Sequence, residues 1–80
     1  PVYVKRASGW IDDWQRGEQA VGFKYQGFGK GRVVLGGLKP GLPCEIGGTA
    51  VPERLSIRTD EQGLLAINGI NTGTLSISWR

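Results

Sequence analysis

Few residues in this 80-residue chain could carry covalent chemistry. It contains no histidine, which removes Ser-His-Asp and Cys-His nucleophile pairs and any Cys/His zinc site. The carboxylates are Asp12, Asp13, Glu18, Glu45, Glu53, Asp60 and Glu61. Two of them facing each other across a cleft could do acid–base work, but Asp12–Asp13 and Asp60–Glu61 each read as solvated turn residues. Asp12 and Asp13 also offer the hard oxygens that Ca²⁺ takes, without a recognisable loop motif around them. A single cysteine, Cys44, cannot close an intrachain disulfide and reads as a small buried apolar side chain. The run Gly27-Phe28-Gly29-Lys30-Gly31 has the glycines of a phosphate cradle. It matches neither the P-loop nor the dinucleotide fingerprint, and no helix follows it; a hairpin loop is the plainer reading. No catalytic residue, metal ligand or cofactor is therefore expected.

Aromatic side chains are the better lead. Trp10, Trp14 and Trp79 are three of seven aromatic residues, counting three Trp, two Tyr and two Phe. Indole faces stack on sugar rings and bases and anchor protein interfaces. Trp79, in phase with Leu75 and Ile77, belongs with the core. Trp10 and Trp14 are four apart, a spacing that sets both indoles on one side of a single helical turn; Gly9 and Gly17 bound the segment too closely for a real helix, and a turn or 3₁₀ piece is the plainer reading. Phe28, held between glycines at a loop tip, is expected to be exposed. Trp10, Trp14 and Phe28 are thus the candidate ligand-binding residues.

The elements that must position them are short strands. Glu53–Trp79 contains three alternating apolar runs separated by DEQG and NGINTG breaks, the written form of an antiparallel meander. Leu55 and Ile57 share a face in the first run, and Leu75, Ile77 and Trp79 in the last, because successive strand side chains point to opposite sides. Upstream, Val2–Val4, Gln19–Gln26 (Val21, Phe23 and Tyr25 inward), Arg32–Leu38 and Cys44–Ile46 read as further strands. Lys39–Pro43 and Gly47–Gly48 break the chain, since Pro cannot donate to a ladder and Gly takes positive φ. No apolar run shows sustained helical periodicity. About seven short strands at this spacing predict an all-β fold, a small antiparallel β-sandwich with a small β-barrel as the alternative. Residues 1–80 make one domain with a thin core.

Charge and ends narrow the setting. Ten Lys and Arg against seven Asp and Glu give +3, with the excess in the first half but never three basic residues together; a solvated surface explains this better than a nucleic-acid footprint. No stretch approaches the roughly 20 apolar residues of a membrane helix. The chain opens on Pro1 without Met, as a processed or excised domain would.

The segment RVVLGGLKPGLPCEI, Arg32 to Ile46, resembles the strand–turn–strand of fibronectin type III and related immunoglobulin-like sandwiches, with Leu38, Pro40 and Gly41 matching their Leu-x-Pro-Gly turn and Cys44 standing where those domains carry a Tyr. The ending, a TDEQG turn and a GTLSISW strand, is similar to small β-sandwiches appended to secreted polysaccharide-degrading enzymes. The resemblance implies a non-catalytic accessory role, an extracellular setting, and a larger protein or a polysaccharide as partner; it transfers no binding residue. Two other readings stand beside it. One is a structural assembly subunit, such as a phage or virion decoration or fibre protein, self-associating through exposed strand edges. The other, less favoured, is a single-stranded nucleic-acid-binding barrel using Lys24, Lys30, Arg32, Phe23, Tyr25 and Phe28.

Overall fold

A computed structural model describes residues 1–80 and is all-β. Eight strands run β1 (Tyr3–Ala7), β2 (Trp10–Gly17), β3 (Ala20–Gln26), β4 (Gly31–Gly36), β5 (Pro43–Gly47), β6 (Leu55–Arg58), β7 (Leu65–Ile70) and β8 (Gly73–Trp79). They form two antiparallel sheets, one of three strands in the order β1-β4-β7 and one of five in the order β2-β3-β8-β5-β6. The small β-sandwich is therefore the architecture. Its core takes the inward rows of both sheets: Val21, Phe23 and Tyr25 of β3, Val33 and Leu35 of β4, Cys44 and Ile46 of β5, Leu65, Ile67 and Ile70 of β7, and Leu75 and Ile77 of β8. Leu55, Ile57 and Trp79 are half-buried against that cluster. Alternation thus assigns their inward phase correctly.

Alternation does not assign neighbours. The C-terminal runs are not a meander: β6 pairs with β5, β7 with β4, and β8 with both β3 and β5. The chain crosses from one sheet to the other at each break. Asp60 closes the first crossing, its Oδ1 accepting from the backbone N–H of Gln62 and Leu64 while Gly63, at φ +76°, donates to the Asp60 carbonyl. The DEQG turn forms as expected, but it turns the chain between layers.

The N-terminal half is one long two-stranded ribbon folded over a corner. β2 and β3 form a hairpin through Glu18 and Gln19, and the same two chain segments continue as β1 and β4 in the other sheet. Strands that switch sheets make the corners of such sandwiches. On one side the corner is Ser8–Gly9; on the other it is Gly27–Lys30. The latter is accordingly no hairpin loop, because β3 and β4 lie in different sheets and do not pair.

The eighth strand, β2, is the one the sequence hides. Trp10–Trp14 is not a turn or 3₁₀ piece but the first part of β2. Its apolar phase is broken by a β-bulge: Asp12 pairs with Lys24 and Gln15 with Gly22, so Asp13 and Trp14 stand opposite Phe23 alone. Asp13 sits at φ +52°, a left-handed conformation that Asp tolerates because its short side chain bonds locally. That one inserted residue turns the remainder of β2 over.

Candidate functional site

Because of the bulge, the two N-terminal tryptophans part. Trp10 precedes it, pairs with Gln26 and is 65% exposed on the outer face of the five-stranded sheet. Trp14 follows it and turns inward, stacked on Phe23 at 5.3 Å between ring centroids and 19° between planes. The Arg16 guanidinium lies 5.4 Å from the Trp14 ring centroid, a cation–π contact that caps the ring. The indole N–H of Trp14 is buried and meets no acceptor in the chain. Trp14 is thus a packing residue, and the expectation that both indoles share a side fails at Asp13.

Phe28 takes the place beside Trp10. It is 91% exposed, and its ring meets the indole edge-to-face, centroids 6.3 Å apart and planes at 77°, a favoured aromatic geometry. Eighteen residues separate the two in sequence; the corner unites them. Tyr25, buried beneath it, donates or accepts one hydrogen bond with the Ser8 hydroxyl at 2.8 Å, and the Arg32 N–H donates to the same Ser8 oxygen at 2.9 Å. The Tyr25 phenol fills the space where any Cβ on Gly27 or Gly31 would have to go, so both positions require glycine. From the other side the Thr72 hydroxyl accepts from the Gly27 N–H and donates to the Gly27 carbonyl, both at 3.1 Å. The Phe28 loop is therefore clamped at its base and leaves only its tip free.

Trp10 lines a groove of about 530 Å³, and Phe28 packs beside its indole without lining it. The groove's polar walls are Asp12, Lys24, Gln26, Thr72 and Thr74, with Trp10 at one end. Lys24 Nζ lies 3.0 Å from Asp13 Oδ2; the hydrogen bond to Asp13 first, and its charge second, raise the Lys24 pKa above the ordinary lysine value. The ammonium stays charged and is held upright beside the bulge. This is a stacking surface next to several donors and acceptors, the combination that takes a flat-faced polar ligand.

No group of three or more Cys, Asp or Glu side chains gathers as metal ligands. Asp12 uses one carboxylate oxygen to accept from the Asp13 N–H at 2.9 Å. Cys44 is fully buried, its thiol directed at the Leu42 carbonyl at 3.6 Å, and burial pushes its pKa up. Phe23 and Tyr25 are both buried, so neither ring presents a face to a base, and of that aromatic set only Phe28 is open. No helix of the chain is long and apolar enough to cross a membrane.

Of the three candidate residues, then, Trp10 and Phe28 come together and Trp14 does not. Local sequence does not mark the polar partners Gln26, Thr72 and Thr74. Alternation gives the outward phase of Gln26 and Thr74, but Thr72 sits in the bend before β8, and no local pattern sets β8 beside β3. No protein-family model, characterised protein or solved structure matches the chain.

Proposed function

We propose that this domain is a non-catalytic binding module that holds a polysaccharide through the Trp10–Phe28 pair. The observation that carries the reading is the pairing itself. Two large aromatic side chains are exposed together, in a small domain whose other bulky apolar groups, apart from Tyr3, are covered. Exposed contiguous aromatics on a soluble fold mark contact with something. The adjoining groove supplies hydroxyl, amide, carboxylate and ammonium groups within reach of a stacked sugar, and hydroxyl-rich ligands need that mixture of donors and acceptors. Attachment to a larger protein, the role implied by the resemblance of Arg32–Ile46, fits a module of this size. Tryptophan fluorescence titrated with a panel of soluble plant, fungal and bacterial polysaccharides tests the reading. One member should give a saturable change that disappears in Trp10→Ala; flat responses across the panel would remove it.

A second reading, a self-assembling structural subunit, draws on the sheet edges. β1 carries Lys5, Arg6 and a bulge; β2 carries Asp12, Asp13 and a bulge; β6 is only four residues and ends at Arg58. These are the usual defences against strand addition. β7 has no charge from Leu65 to Ile70, and its one irregularity is confined to Gly69 near its end. Sedimentation over a wide concentration range decides this reading: association that Asn68→Lys abolishes supports it, and a monomer throughout removes it.

A further inference from the structure

The groove beside Trp10 does not stop at Thr74. Along β8 the outward side chains are Thr74, Ser76 and Ser78, all short. Their neighbours in the middle are shorter still, because Ser76 lies between Gly22 of β3 and Gly47 of β5. Longer side chains rise on both sides. Lys24 and Gln15 stand on the β2–β3 side, and Glu45 and Arg54 on the β5–β6 side. The concavities of this face follow β8 in chain order. The first contains Thr72 to Thr74, the next Thr74 to Ser76, the third Ser76, and the last, about 580 Å³, contains Ser78 to Arg80.

We infer that these form one trough, and that it takes an extended stretch of a linear polysaccharide lying along β8, with the Trp10–Phe28 pair stacking on a sugar at one end. Thr72 to Ser78 spans roughly 20 Å at the rise of a strand, room for several sugar units. Alternate β8 side chains repeat about every 6.6 Å, so their hydroxyls form a ladder that both donates and accepts along a chain of hydroxyls. Thr74 is tied to Thr49, Oγ1 to Oγ1 at 3.2 Å, which leaves Ser76 and Ser78 as the rungs for ligand. Polar contacts link the side chains of each wall: Lys24 lies 3.0 Å from Asp13, and Glu45 accepts from Ser56 and lies 3.7 Å from Arg54. Every outward side chain of β8 from Thr74 to Ser78 carries a hydroxyl, which suits a sugar chain better than an apolar peptide.

This inference rests on the polysaccharide reading, and chain length separates the two. Calorimetric titration of the whole chain would compare disaccharides with hexasaccharides of the cello, xylo, manno and chito series. The hexasaccharide of the recognised series should bind at least about tenfold tighter than its disaccharide. Ser76→Arg, which fills the middle of the trough from an exposed position, should abolish that gain. Gly22→Gln repeats the test from the neighbouring strand, where an added Cβ meets only ordinary contact with the Leu75 carbonyl, 3.5 Å away. Equal affinity at both lengths, or a length gain that survives both substitutions, overturns the trough and spares the Trp10 site. Absence of binding by every series overturns both.

Discussion

Trp10 and Trp14 occupy one strand, four residues apart, and meet opposite environments. The outer face of the five-stranded sheet has Trp10 standing free above a polar groove; the inner face has Trp14 stacked on Phe23 under Arg16. A regular strand would set them on the same side, since residues an even number apart share a face. The extra residue at Asp13 breaks that rule, so a single backbone conformation decides which tryptophan packs and which stays exposed. Residue type alone says nothing about the difference. The left-handed φ of Asp13 does.

The contrast is most severely tested by removing each ring. Trp14→Ala should cost about 2–3 kcal/mol in urea unfolding, as loss of a partly buried aromatic does, whereas Trp14→Phe should cost under about 1 kcal/mol because it keeps the stack and deletes a buried, unsatisfied N–H. Equal tolerance of both changes would mean that Trp14 is no packing residue. A smaller effect is expected at the bulge. Asp13→Val forces a β-branched residue into the left-handed region, at about 1–2 kcal/mol, while Asp13→Gly relieves it; if Val were as stable as Asp, the bulge would not depend on that φ. Trp10→Ala and Phe28→Ala should each stay within about 0.5 kcal/mol of the parent, the usual range for exposed sites, and a large loss in either would place the pair in the structural core.

The inner face also has a pH signature, the mildest of these effects. Burial raises the Cys44 pKa, so the native thiol holds its proton where the unfolded thiol, with an ordinary value of about 8.5, has begun to lose it. The native state then binds more protons than the unfolded one, and stability falls as pH rises above the unfolded value. Its contribution is complete below about pH 8 and declines toward the raised native pKa. Denaturant midpoints of the parent and Cys44→Ala, compared at about pH 7 and about pH 9.5, should converge at the higher pH, because only the parent loses stability to ionisation of the unfolded thiol. A constant difference would show that Cys44 does not titrate in folding.

What the sequence made legible divides along the same line. Inward phase was readable wherever alternation was regular: Val21, Phe23, Tyr25, Leu75 and Ile77 are all buried as their spacing requires. Strand neighbours were not readable, because β6, β7 and β8 carry the alternation and turn residues of a meander while crossing between sheets. Pairing is a long-range property that local pattern leaves open. β2 was hidden by the phase change at Asp13, and with it the separation of Trp10 from Trp14. Exposure of Phe28 was legible from its flanking glycines, but its position against Trp10 depends on the corner that Tyr25, Ser8 and Thr72 hold together.

The chain's three indole N–H resonances offer the most direct measurement. Titrating the labelled protein with an oligosaccharide it retains should move the Trp10 signal saturably while the Trp14 signal stays in place. Movement of Trp14 with Trp10 unmoved would contradict the account, since it would put the ligand on the side of the sheet assigned to packing.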